Sequence, residues 1–250
     1  MCVEPVVNDH CFSSLSKRQQ EELSHVHQTQ IQEVLAGFDM AIGRQYDLIE
    51  VCAPWDSPLV EEVERQGGKG MRMGLHNGYD LSTRAGFLKA VDVLRKTRPK
   101  NVHLSPPCFP WTQFQNLNQR TPAQCAELGQ KREHSRKMLK NLKKLAEIQI
   151  KELEGELSGE QPWTALSWKE KPVEQLVKMT GGRFRVDGCR FGLKHPDNGL
   201  LLQKGWGFFA TLPELRQKLA RTCNHPAAMH ARIEGKDRKS TRLNSSHVKR

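Results

Sequence analysis

Between Leu48 and Leu104 three short apolar runs alternate with two amphipathic stretches, joined by links of only a few residues, and this pattern constrains the chain more than anything else in it. "YDLIEVCAPWDS" begins with Leu48, Ile49 and Val51, the signal of a short buried strand, and is closed by Pro54. The next stretch, "SPLVEEVERQGG", predicts a helix from Ser57 to about Gln66, stopped by Gly67 and Gly68, with a second strand around Met71 to Leu75. Residues 82–97 set Phe87, Leu88, Val91 and Leu94 on one helical face, with Ser82 or Thr83 as N-cap. "NVHLSPPC" is then a third strand and its exit. Strands that alternate with helices on short links pack as a parallel sheet with right-handed crossovers, so the expected class is α/β.

Beyond this unit the longest periodic segment begins at Thr121, a capping residue followed by Pro122, and carries Leu128, Leu139, Leu142, Leu145, Ile148 and Leu153 to about residue 154. Its polar face is basic, with Lys131, Arg132, Arg136 and Lys140 among its residues. The region 163–235 predicts a helix beginning near Ser167 and strand-like pieces at Phe184–Val186 and Trp206–Thr211. Ahead of the domain, Leu23, Val26, Ile31, Val34, Leu35 and Phe38 recur at near-helical spacing, which gives a helical extension over 1–43 and a main domain over 44–235. Residues 236–250 are polar and aperiodic and are expected to be a disordered tail of adaptor-like origin.

Charge and cysteine usage limit the setting. The net charge is +11, of which six basic residues against Asp237 in the tail account for +5, leaving +6 for the body, a balance that favours an anionic partner. Seven cysteines, with no two in a CxxC pair, read as reduced thiols rather than a disulfide framework. No apolar run approaches the length of a membrane span. The expectation is an intracellular protein, nuclear or cytoplasmic, with no membrane partner.

Ligands of open α/β sheets sit outside the carboxyl ends of the strands. Three loops would lie there: Cys52–Ser57, His76–Leu81 and Ser105–Trp111. In order along the chain come a strand ending in Glu50, "YDLS" with Asp80, "SPPC" with Cys108, and "EQP" with Glu160. This series resembles the Rossmann-like S-adenosylmethionine-dependent DNA methyltransferases, nearest their cytosine-5 branch. "LHNGYDLST", "QNLNQRT", "GCRFGL" and "LQKGW" are similar to methyltransferase-like reading frames associated with mobile elements. The likeness covers about residues 46–235 and implies a three-layer domain with a mostly parallel sheet.

Methylation of an unactivated cytosine ring carbon needs a transient covalent adduct, for which a thiolate must reach the ring face while a carboxyl group stabilises charge on the base. The resemblance implies Cys108 as that nucleophile, held by Pro106 and Pro107, and Glu160 as the group on the base. It implies a cofactor site for S-adenosylmethionine at Glu50, Asp56, Asp80, Leu81, Ser105 and Pro106. The family's first loop is glycine-rich, whereas this chain has Cys52, Ala53, Pro54 and Trp55 there. The twelve residues "KELEGELSGEQP" before and around Glu160 are charged and interrupted by glycine, a poor strand pattern.

The expected partner is a nucleic acid, most naturally DNA, contacted by Trp111, Gln113, Arg120, Lys131, Arg132, Arg136, Lys140 and Arg190, the basic side chains reaching phosphates. The target base would be flipped or already single-stranded. Three alternatives stay open: "SPPC" as a structural turn, an amino-methyltransferase in which Ser105-Pro106-Pro107 acts without a thiol, and a non-catalytic nucleic-acid-binding module. No metal site is assigned. Cys189, Cys223, His225 and His230 include metal-competent side chains, but without CxxC spacing the histidines read as ordinary surface residues before they read as zinc ligands.

Overall fold

The structure, a computed structural model, describes residues 43–117 and 121–231. The helical extension expected over 1–43, apart from Gly43, lies outside the described residues, as do Arg120 and the tail expected over 236–250.

Leu48–Val51 forms β1, buried along its whole length. The other strands are β2 (Gly70–Met73), β3 (Asn101–Leu104), β4 (Glu156–Pro162), β5 (Arg183–Asp187) and β6 (Gly205–Ala210). They make one six-stranded sheet in the order β2-β1-β3-β4-β6-β5. The first four of that order pair in parallel, and β6 runs antiparallel to both of its neighbours, so the sheet is mixed and the class is α/β. From β1 the chain winds out to β2, and from β3 it winds the opposite way to β4, so the direction of winding reverses between β1 and β3.

The helices begin where their caps dictate. α1 (Pro58–Arg65) starts at Ser57, whose hydroxyl accepts from the Val60 amide, and has proline in its first turn. α2 (Arg84–Thr97) starts at Thr83, which accepts from the Gly86 amide. A short turn of helix, α3 (Phe114–Leu117), precedes α4 (Pro122–Glu147), whose first turn is closed by a capping box between Thr121 and Gln124. α4 runs on into a π-helical turn at Ile148–Glu152, where the buried Gln149 amide donates to the Pro99 carbonyl at 3.0 Å and ties the helix end to the start of β3. α5 (Lys171–Met179) and α6 (Pro213–Leu219) complete the set. Among the described residues no helix is long and apolar enough to cross a membrane.

Because strand side chains alternate, the sheet has two unlike faces. Ile49, Val51, Val102, Leu104 and Leu157 point to one side and pack against Val91 and Leu94 of α2, Leu139, Leu142 and Leu145 of α4, and Val173 and Leu176 of α5. The other side carries Glu50, His103, Ser158 and Glu160. α1 covers one flank of this face, with Val60 closing over Gly70. On the other flank Phe184, Val186 and Ala210 meet Leu215 and Leu219 of α6.

Three features differ from the sequence expectation. "ELSGEQP" is a full strand with strictly alternating burial, despite its charges and its glycine. Gly159 is required there, since a Cβ would lie 2.4 Å from the Phe209 ring and 3.0 Å from the Leu104 carbonyl oxygen. The helix expected near Ser167 instead begins with a 3-10 turn at Leu166–Lys169 before α5, and α6 was not anticipated at all.

The first residue after β1, Cys52, has φ of 63°, a left-handed conformation that costs a side-chain-bearing residue about 1–2 kcal/mol. Its thiol points inward, 3.8 Å from the Met138 sulfur of α4. Glycine at this position relieves the strain and alanine does not, while both lose the thiol. Cys52→Gly is therefore expected to be about 1 kcal/mol more stable than Cys52→Ala by denaturant midpoint, the reverse of the usual order. If alanine proves the better residue, the turn is not strained.

Candidate functional site

The candidate site is built from the loops that leave β1, β2 and β3 and from the polar face beneath them. Glu50 is only 5% exposed, and its two carboxylate oxygens accept from two different loops. Ser105 Oγ donates to Oε1 at 2.9 Å, and Ser57 Oγ donates to Oε2. Glu50 thus joins the loop after β1 to the loop after β3. The resemblance would have Glu50 contact the cofactor; here the carboxylate is buried and engaged on both oxygens, and its role is to position the two loops.

Alongside Glu50 in the parallel register lie His103 and Ser158. His103 Nδ1 and Ser158 Oγ are 2.8 Å apart, and burial pushes the imidazole down to about 4, so the ring is neutral at ordinary pH. Two residues beyond Ser158 on the same face is Glu160, with a buried Oε2 that has no hydrogen-bond partner. Burial pushes its carboxyl up to about 7; Lys204 opposes the shift and Glu50 adds to it. A carboxyl group poised at that value can donate or accept a proton in the neutral range.

Asp80 follows β2. Its Oδ1 accepts from the amide and the hydroxyl of Ser82, at 2.9 and 2.6 Å, and the Ser82 bond in particular holds its carboxyl below the usual range. Asp80 also lies near enough to Cys52 to act on it. Burial foremost, then Glu50 and Asp80, push the Cys52 thiol up to about 12, which makes it chemically inert. The structure therefore brings Glu50 and Asp80 to the same end of the sheet. Leu81 is buried, and its carbonyl accepts from Asn141 of α4. Asp56 is half-buried in the first loop.

Cys108 is half-buried at the head of a 3-10 turn, Phe109–Trp111, and its carbonyl accepts from the Trp111 amide at 2.9 Å. Pro106 is half-buried and Pro107 exposed. With Ser105 anchored to Glu50, the backbone carrying Cys108 is fixed at one end by that bond and at the other by the turn.

The residues expected to meet nucleic acid divide in two. Trp111 is not available to a base: it is 2% exposed, its indole N–H donates to Ser135 Oγ at 2.8 Å, and Arg132 and Arg136 lie over its ring. Arg136 pairs with both oxygens of Glu170. Arg132 donates to the Pro110 carbonyl, and Lys131 is tied to Glu127. Arg132 and Arg136 brace the Phe109–Trp111 turn against α4. Gln113 is exposed, as is Lys140, which opens with Arg84, Lys137, Lys143 and Lys144 onto a groove of about 660 Å³ between α2, α4 and α5. Arg190, whose guanidinium donates to Asn224, lies in the turn after β5 and secures the C-terminal segment.

Sequence reasoning overlooked Ser57, His103, Ser158 and Lys204. Of the two aromatics the sequence offers for stacking, Trp111 is core and Phe114 is exposed, and Trp55, Leu75 and Phe109 are further large apolar side chains exposed near the carboxyl edge. The metal-competent Cys189, Cys223, His225 and His230, which had no assigned role, come together in one cluster.

No family model matches this chain, and no curated protein matches it. The site must be read from its own chemistry.

Glu160 gives that chemistry a pH signature. Between the ordinary glutamate value of 4.5 and about 7 the folded state holds a proton that the unfolded state has released, so stability falls as pH rises through this window. Glu160→Gln removes the penalty. Its stability relative to the parent is expected to grow by about 2–3 kcal/mol between pH 5 and pH 8 in denaturant titrations. His103, titrating on the acid side, is common to both proteins. A constant difference across the range would mean that Glu160 is not held protonated.

Proposed function

We propose that the chain is an S-adenosylmethionine-dependent nucleic-acid methyltransferase acting on a cytosine ring carbon, in a Rossmann-like domain. The observation that carries this reading is Glu160: a half-buried side chain with one buried, unpartnered carboxyl oxygen, raised toward neutrality, on the strand next to the one that leads into Cys108. The reversal of winding between β1 and β3 supports it, because open α/β sheets bind their ligands in the crevice at such a point.

In this reading Cys108, as thiolate, adds to the ring carbon beside the one to be methylated, and the electron pair displaced toward the ring nitrogen is stabilised by hydrogen bonding from protonated Glu160. S-adenosylmethionine, when bound, would supply the electrophilic methyl group and leave as the neutral thioether. The methylated carbon then gives its proton to water, the ring pair re-forms, and Cys108 leaves as thiolate. The residues fit the cofactor in the crevice beside β1, where Asp80 offers an ionised acceptor and Trp55 an exposed ring face. Trp111 has no part in the reading. Phe109 and Phe114, exposed beside Cys108, take the role of ring faces for an extruded base.

Calorimetric titration of the protein with S-adenosylmethionine tests the cofactor half. Saturable one-site binding is expected, lost in Asp80→Ala; absence of binding by a folded sample sinks the proposal. For the chemistry, Cys108→Ser should abolish methyl transfer to single-stranded oligonucleotides, and Glu160→Gln should slow it by about 10²–10³-fold. Full activity in the serine variant would redirect the reading to transfer onto an exocyclic amine.

A second reading, a non-catalytic nucleic-acid-binding module, is favoured by one observation: Glu50 is sealed between two serines and the loop after β1 has no glycine to let a cofactor approach the backbone. It places the contacts in the groove of Lys137, Lys140 and Lys144. The logarithm of affinity should then fall linearly with the logarithm of salt, and Lys140→Gln should reduce the slope by about 0.9 if that lysine meets a phosphate. An affinity indifferent to salt would exclude phosphate contacts.

A further inference from the structure

Away from the carboxyl-edge loops, the residues from Arg221 to His230 follow a fixed path without the usual means of holding one. They contain only one 3-10 turn, Ala227–Met229. Thr222, Pro226, Ala227 and Ala228 are exposed, and Met229 is 46% exposed, so no apolar side chain of the segment is buried. The side chains that do turn inward are Cys223, His225 and His230. Burial of apolar surface, the ordinary stabilising force, is missing here.

These three meet a fourth, Cys189, which is buried in the 3-10 turn after β5. One ligand atom from each residue lies within 4.8 Å of all the others. Cys223 Sγ is 3.6 Å from His225 Nδ1 and 3.3 Å from His230 Nε2. Tetrahedral zinc, with bonds of about 2.3 Å to sulfur and 2.0–2.1 Å to nitrogen, sets neighbouring sulfur and nitrogen ligands about 3.5 Å apart. The observed spacings bracket that value.

The surroundings hold the ligands in place. Asp187, 1% exposed, accepts from the Cys223 amide at 2.7 Å and from Arg185 at 2.8 Å, while its own amide donates to the Arg221 carbonyl. His230 is placed by backbone pairing: Leu201 donates to the Met229 carbonyl at 3.0 Å and Ala231 donates to the Leu201 carbonyl at 2.9 Å.

We propose that Cys189, Cys223, His225 and His230 bind one Zn²⁺ ion as a structural centre that fastens the C-terminal segment to the turn after β5. Two thiolates neutralise the dication, and two sulfurs with two imidazole nitrogens form a donor set suited to tetrahedral zinc. All four positions are filled by protein, leaving none for a water or a substrate, so the centre is structural and not catalytic. Its free energy of binding replaces the hydrophobic contacts that the segment lacks.

Metal analysis of the full chain after gel filtration in metal-free buffer should find one zinc per chain. Cys125→Ser, which alters an exposed thiol of α4, should keep it, and Cys223→Ser should lose it. Because the second variant could fail to fold, the parent chain is also stripped with chelator and titrated with Co²⁺. The intense visible bands of tetrahedral cobalt and a thiolate-to-cobalt charge-transfer band are expected, saturating at one equivalent, with the thermal midpoint restored on saturation. The proposal is overturned by a folded, metal-free chain whose cobalt spectrum lacks the thiolate band, or by a peptide map showing Cys189 and Cys223 joined as a disulfide.

Discussion

A carboxylate sealed from water sits where the winding of the sheet reverses, and two serine hydroxyls hold it there. A buried polar group without partners is costly, and each oxygen of Glu50 has a donor. Those donors come from opposite directions. Ser57 is also the cap of α1, and Ser105 begins the proline-framed loop of Cys108. One buried group therefore couples the start of a helix on one face to the loop that leads to α4 on the other.

The rest of the polar face follows from this anchor. With β1, β3 and β4 in parallel register, Glu50, His103 and Ser158 form a line across three strands, and Glu160 continues it toward the carboxyl edge. His103 is neutral because it is buried, and desolvation foremost, with Glu50 adding to it and Lys204 opposing it, pushes the Glu160 carboxyl up to about 7. The opposite face, packed by α2, α4 and α5, supplies the hydrophobic stabilisation that lets such a line exist.

The sequence made the first half of the fold legible because local signals agreed with tertiary packing. Ser57 and Thr83 are caps, Gly67 and Gly68 end a helix, and Leu48, Ile49 and Val51 lie in a strand buried on both sides. β4 was obscure for a physical reason. Half its side chains serve the polar face, so apolar content understates it, and Gly159 looks like a breaker although close packing against Phe209 demands it. Trp111 and Phe109 stand two residues apart with the same apparent chemistry; only the hydrogen bond from Trp111 to Ser135, 24 residues later, decides which is core. Cys189 and Cys223 are likewise 34 residues apart, a span in which no spacing rule operates.

α4 is 26 residues long, about 39 Å, whereas the strands it covers at β1 and β3 have four residues each, about 13 Å. It enters from the carboxyl edge, and from Pro122 to Gln130 only Leu128 is buried. Its first turns therefore stand beyond the sheet as a rail along one side of the Cys108 loop. A small molecule reaching the edge passes inside that rail. Under the proposed function a polymer would have to lie along it or cross it, so the helix would set the direction from which a long chain presents one of its units to the thiol.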